Sequence, residues 1–178
     1  MELRPSFQIP ALIKSLTDVV LPAVDPANKL AQEQGQLVVA MLHLMAQRLP
    51  LQYRYDCHEL KQFLGLADSL ATHGAALPEL GETLAALATS VETGRYVLSR
   101  AGVAPAELEA TNLALRTSVG AAISASAMAA DGPATKAINA AVMAHAQEML
   151  LRERAWLAMQ GWEGPNAGLP AVETLIGD

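Results

Sequence analysis

Apolar residues recur at helical spacing along most of the chain, between prolines and glycines that interrupt the pattern. In the segment 26–49 they fall three and four positions apart, which is the period of a helix with one apolar face. The members of this face are Leu30, Leu37, Val38, Met41, Leu44, Met45 and Leu49. We expect this face to pack into a core, and we expect His43, which falls on the opposite side, to be solvated.

The prolines and glycines mark the ends of six predicted helices. These helices cover residues 6–21 (with Pro10 as an alternative start), 26–49, 57–73, 78–100, 105–130 and 133–160. Asp25 and Asp56 are the predicted N-caps of the second and third helices, because a short acidic side chain can accept a hydrogen bond from a free backbone N–H there. The connections are short, so consecutive helices are expected to pack as antiparallel neighbours.

The predicted fold is therefore all-α, an antiparallel helical bundle of five to six helices with a short irregular C-terminal tail. Residues 1–161 are predicted to form a single helical-bundle domain, and residues 162–178 a tail or docking segment with one short turn at 171–176. Composition agrees with this fold, since 52% of the residues are apolar and only 4% are aromatic. Alanine and leucine, the strongest helix formers, outnumber the β-branched residues that strands favour.

Charge and cysteine content narrow the function classes. The net charge of −6 and the scattered basic residues argue against nucleic acid as a partner, because phosphate binding needs clustered Lys and Arg. No window reaches the length of about 18–20 apolar residues that a membrane span requires. Cys57 is the single cysteine and cannot form an internal disulfide, so we expect a cytoplasmic protein.

Polar residues interrupt the apolar faces of the fifth and sixth predicted helices. Asn112 falls inside the apolar face of the fifth helix, and Arg116 lies one turn further on at its edge. His145 and Arg152 interrupt the corresponding face of the sixth helix. One interpretation is structural: a buried amide that fixes helix register, with Glu109 and Arg116 paired at the rim.

The other interpretation is functional. If the two faces meet, Asn112, Arg116, His145 and Arg152 could line one polar pocket between helices, as in ligand sites of helical bundles. The stretch Tyr53–Glu59, the densest polar and aromatic group of the chain, is then the lip of such a site.

Motifs for catalysis or cofactor binding are missing from the sequence. It has no Glu-x-x-His or His-Glu-x-x-His spacing for a metal and no glycine-rich phosphate loop, so no metal site and no cofactor are predicted. A Cys57–His58 pair is a poor catalytic candidate, because adjacent residues of a helix point in different directions.

Two function classes follow. The first is a non-catalytic interaction or accessory protein that self-associates through helix faces as a homo-oligomer, with a dimer the favoured form. The alanine-rich parts of the fifth and sixth helices and the missing catalytic motifs favour it. The alternative is a binding protein or enzyme for a small apolar compound with a polar or anionic head group, held between helices.

Overall fold

Most residues are helical in the computed structural model, which describes residues 4–164 and 167–177. The main helices are α1 (Pro5–Ser15), α2 (Lys29–Arg48), α3 (Gln52–Gly74), α4 (Gly81–Ser99), α5 (Pro105–Ala127) and α6 (Pro133–Leu157). Short helical turns follow α1 at Leu16–Val20 and Leu21–Ala23, and a short helix α7 (Val172–Leu175) forms where a turn was predicted. The all-α prediction is confirmed. Positions 165, 166 and 178 of the predicted tail lie outside the described residues.

Two predicted helix starts are wrong. Asn28, not Asp25, caps α2, because its side-chain oxygen accepts a hydrogen bond from the Ala31 N–H at 3.1 Å. Asp25 instead accepts from the Ala27 N–H in the preceding turn. Asp56 lies inside α3, which begins at Gln52 directly after a 3-10 turn over Leu49–Leu51. Pro50 sits in that turn, since a proline in a first helical turn forfeits no hydrogen bond.

The described chain divides into two compact units. The first comprises residues 4–52, 153–164 and 167–172, and the second comprises residues 53–152 and 173–177. The single helical-bundle domain over residues 1–161 stays a prediction.

The second unit is a bundle built from α3 to α6. Gly74, at the end of α3, lies beside Leu80 and Leu84 at the start of α4, and Gly94, near the end of α4, lies beside Leu60, so these two helices are antiparallel. Its core is made of aliphatic side chains from all four helices, with Leu60, Leu70, Leu87, Leu108, Leu115 and Ile138 almost fully buried. The alanine-rich end of α5 belongs to this core as well, since Ala122 is fully buried in it.

The first unit is a helical hairpin in which α1 and its continuation lie along α2. A Cβ atom added at Gly35 would collide with the side chain of Leu21, so this glycine lets the two helices approach closely. Arg48 is buried at the end of α2. Its Nε donates to the Trp156 carbonyl at 2.9 Å and its Nη2 to the Ala155 carbonyl at 3.2 Å. The guanidinium also lies 5.4 Å from the centre of the Trp156 ring.

The apolar face predicted to pack into a core is mostly solvent-exposed. Of its seven members only Leu44 is buried. The remaining six, here called the α2 apolar face, are Leu30, Leu37, Val38, Met41, Met45 and Leu49, with exposed fractions from 47% to 67%. The prediction was wrong because α1 packs on another side of α2, the side that carries Gly35. His43 is exposed, as predicted.

Across residues 4–164 and 167–177, no helix combines the length and the apolarity needed to cross a lipid bilayer.

Candidate functional site

One face of α3 receives polar side chains from two neighbouring helices in the second unit. Asp56, Glu59 and Phe63 are spaced three and four residues apart and therefore lie on one side of α3. Asn112 and Arg116 reach this side from α5, and His145 and Arg152 reach it from α6. Arg152 contacts Tyr55, the neighbour of Asp56.

Asn112 ties α5 to α3. It is 5% exposed, and its side-chain N–H donates to the Asp56 carbonyl at 2.9 Å. The side-chain oxygen of Asn112 is also buried, and it accepts no hydrogen bond from the described residues. The donated bond fits the register-fixing interpretation. The unused oxygen leaves one acceptor that costs free energy until it receives a donor.

Arg116 lies at the outer edge of the group. Its Nη2 is 3.1 Å from a carboxylate oxygen of Glu59, and its side chain is 50% exposed. The predicted pair with Glu109 is therefore wrong, because α3 places a closer carboxylate opposite Arg116. The guanidinium also lies 5.4 Å from the centre of the Phe63 ring. An ion pair this exposed contributes about 0–1 kcal/mol, so it positions side chains more than it stabilises the bundle.

His145 packs against the same phenylalanine from the other side of the group. The centres of the His145 and Phe63 rings are 4.8 Å apart, and Nε2 of His145 is buried without a partner in the described chain. Burial, followed by the positive charge of Arg152, lowers the pKa of His145, and Glu148 opposes this shift. The imidazole is therefore neutral near physiological pH, and each ring nitrogen can donate or accept according to the tautomer.

Arg152 is the most deeply buried member of the group, with 2% of its surface exposed. Its guanidinium lies 5.2 Å from the centre of the Tyr55 ring. Its Nε and Nη2 atoms are buried and have no hydrogen-bond partner among the residues described. A buried guanidinium without an anion is unusual, because desolvating a charge costs several kcal/mol unless a counter-charge compensates for it.

All four predicted site residues thus converge on one face of α3, with Arg116 at the exposed edge and Arg152 and Asn112 buried. The α3 residues that receive them, above all Phe63 and Tyr55, were not among the predicted site residues. The polar and aromatic stretch 53–59, which includes Tyr55, is the sequence feature that predicts part of this surface. No sequence feature marks Phe63 as a site residue, because a phenylalanine on a helix is most often a core residue.

Within residues 4–164 and 167–177, no three His, Cys, Asp or Glu side chains are grouped so that they could hold a metal ion.

Comparisons with protein-family models, with curated proteins and with solved structures found nothing that matches this chain.

Proposed function

We propose that this protein is a non-catalytic interaction protein that forms a homodimer through the α2 apolar face. The observation that carries the proposal is the exposure of six large apolar side chains on one side of a single helix. Scattered exposed apolar residues are ordinary, whereas a contiguous apolar face is typical of a surface that binds another protein. A cytoplasmic location, favoured by the single cysteine, belongs to the same proposal.

The energy available from this face is large enough for a dimer. Each of the six side chains is about half exposed, so together they equal about three fully exposed side chains. Burying one fully exposed apolar side chain contributes about 1.5–3 kcal/mol, which gives about 9–18 kcal/mol for two copies of the face. Association costs about 4–15 kcal/mol in lost freedom of motion. The balance favours a dimer of modest affinity.

A second copy of the chain is the partner that the face itself favours. In a two-fold symmetric dimer both copies use the same surface, so a charge close to the symmetry axis would lie opposite its own copy. The six members of the α2 apolar face are all uncharged, and the position between Leu30 and Leu37 on the same side is Gln34. The alanine-rich part of α5 is less suited to this role, because Ala122 and Ser126 are already buried.

Measuring the oligomeric state tests this proposal. Sedimentation equilibrium of the full chain is expected to give twice the 18.7 kDa of one chain. The double variant Leu37→Glu with Met41→Glu places two charges at the centre of the face. We expect it to weaken dimerisation at least about 100-fold, equivalent to about 2.8 kcal/mol.

The matched control carries the same charges on the opposite side of α2. The double variant Gln36→Glu with Gln47→Glu alters two exposed positions outside the face and should leave the dimer intact. A wild-type protein that stays monomeric at all concentrations would overturn the proposal. Equal weakening by both double variants would show that charge, and not this face, controls association.

A second candidate function is binding of a small apolar compound with a polar or anionic head group, favoured by the buried guanidinium of Arg152. Charge reversal at Arg116 and Arg152 tests this second candidate. Loss of ligand binding with an intact dimer supports the ligand site, whereas disruption of the dimer would place the interface on α5 and α6 and contradict the α2 apolar face.

A further inference from the structure

We infer that Arg152 anchors a binding site for the carboxylate of a small organic acid, between α3 and α6 of the second unit. The inference rests on the second candidate function and specifies its ligand class. It is independent of dimerisation, which involves another helix and the other unit.

The two unpartnered atoms of Arg152 define the chemistry that fits. Nε and Nη2 lie on the same edge of the guanidinium plane, so their N–H bonds point the same way. This edge matches the two oxygens of a carboxylate, which can accept both hydrogen bonds in parallel. Both atoms are buried and neither has a partner in the described chain, whereas the buried Arg48 uses the same two atoms on backbone carbonyls.

Among residues 4–164 and 167–177, no carboxylate accepts a hydrogen bond from Nε or Nη2 of Arg152. Glu59, the acidic side chain nearest to Arg116, forms its ion pair with that arginine. Glu148 is one turn before Arg152 on α6, but it is solvent-exposed and forms no ion pair with Arg152. We infer that the carboxylate that pairs with Nε and Nη2 of Arg152 comes from a ligand, because none is supplied to these two atoms by the described residues.

The surroundings favour a singly charged carboxylate over a phosphate. His145 is neutral, so it adds a hydrogen-bonding nitrogen to the site and no second positive charge. Arg116 is already neutralised by Glu59. Sites for doubly charged phosphate generally combine several cations, whereas here one guanidinium is available for one negative charge.

The rings around the site favour an acid with an apolar body. The Tyr55 ring covers Arg152 and the Phe63 ring contacts His145, both from α3. The buried side-chain oxygen of Asn112, whose amide N–H donates to the backbone carbonyl of Asp56, is a further acceptor on this face of α3.

Calorimetric titration of the full chain, refolded from denaturant to remove any bound compound, tests the inference. The probes are acetate, benzoate and decanoate, with benzamide as the uncharged match of benzoate and inorganic phosphate as the competing anion. We expect benzoate or decanoate to bind one per chain at millimolar concentrations or below, and benzamide and phosphate to bind more weakly.

Variants assign the binding to Arg152. Arg152→Met is expected to weaken carboxylate binding at least about tenfold. Arg152→Lys is expected to weaken it as well, because lysine keeps the positive charge but lacks the two parallel N–H donors of the guanidinium. Arg95→Met removes an exposed arginine of the same unit, which pairs with Asp68, and should leave binding unchanged. Circular dichroism confirms that each variant is folded.

Three results would overturn the inference: no binding of any of the three acids, binding that Arg152→Met does not alter, or tighter binding of phosphate than of the acids. The dimer-disrupting variant Leu37→Glu with Met41→Glu is expected to keep carboxylate binding. Failure of the carboxylate site and failure of the dimer are therefore separate outcomes.

Discussion

Two buried arginines should respond in opposite directions to the same substitution. In ligand-free protein, Arg152→Met is expected to raise the free energy of unfolding and Arg48→Met to lower it. The two side chains are similarly buried, with 2% and 9% of their surfaces exposed. They differ in hydrogen bonding: Nε and Nη2 of Arg48 donate to backbone carbonyls, whereas the same two atoms of Arg152 have no partner among the described residues.

For Arg152 the gain comes from removing an unpaired charge. Replacing buried ionic groups by apolar side chains of similar volume is often neutral or stabilises a protein by about 1–4 kcal/mol. The substitution also loses the cation–π contact with Tyr55, which contributes about 0.5–2 kcal/mol. Subtracting the lost contact from the gain leaves a net stabilisation of up to about 3 kcal/mol.

For Arg48 the same change removes two good hydrogen bonds. Its Nε and Nη2 donate to the carbonyls of Trp156 and Ala155 at 2.9 and 3.2 Å. Methionine cannot donate, so both carbonyls lose a charged donor in a buried setting. We expect a destabilisation of about 2–4 kcal/mol.

Urea unfolding followed by far-ultraviolet circular dichroism measures both effects. The protein is first refolded from denaturant so that no compound remains bound to Arg152. A destabilisation by Arg152→Met of more than about 1 kcal/mol would refute the reasoning, because it would mean that the guanidinium is already compensated. A shift of both variants in the same direction would refute it as well.

Three further predictions concern the second unit. Because burial lowers the pKa of His145 below its ordinary value, the unfolded chain binds more protons, so the free energy of unfolding should fall as the pH drops below about 6.5. His145→Gln should reduce that decline in urea titrations at several pH values, and His58, whose pKa burial also lowers, should account for part of the remainder. Gly120→Ala, with open space around its new methyl group, should stabilise α5 by about 0.5–1 kcal/mol. Gly94→Ala should gain less or destabilise, because its Cβ would lie 3.2 Å from a leucine methyl group of α3; thermal melts compare the two. Leu115→Ala should cost about 2–5 kcal/mol and the exposed Leu113→Ala under about 1 kcal/mol in the same urea assay, and equal costs would contradict the burial pattern.

The sequence predicts the helices well, because proline and glycine act on the local backbone. It fails where a proline has two roles. Pro50 predicts the end of one helix, although it also suits the first turn of the next, and α3 consequently starts five residues before the predicted position. This shift is what moves Asp56 from a predicted cap to the inside of a helix.

The limits of periodicity explain the larger error. Spacing identifies the apolar side of a helix, such as the one that holds Leu37 and Met41, but it does not say whether anything covers that side. The polar residues Asn112 and Arg152 could be singled out because each interrupts an apolar face of its own helix. Their partners on α3 could not be, since the register between helices is set by tertiary packing.

The contact between Arg48 and Trp156 makes tryptophan fluorescence a probe of the packing between α2 and the end of α6. Both tryptophans of the chain, Trp156 and Trp162, belong to the first unit, and the second unit has none. Intrinsic tryptophan emission therefore follows the end of α6 and its contact with Arg48 of α2, whereas the helical dichroism signal follows all helices. An earlier loss of emission than of dichroism would mean that α2 separates from the end of α6 before most of the helices unfold.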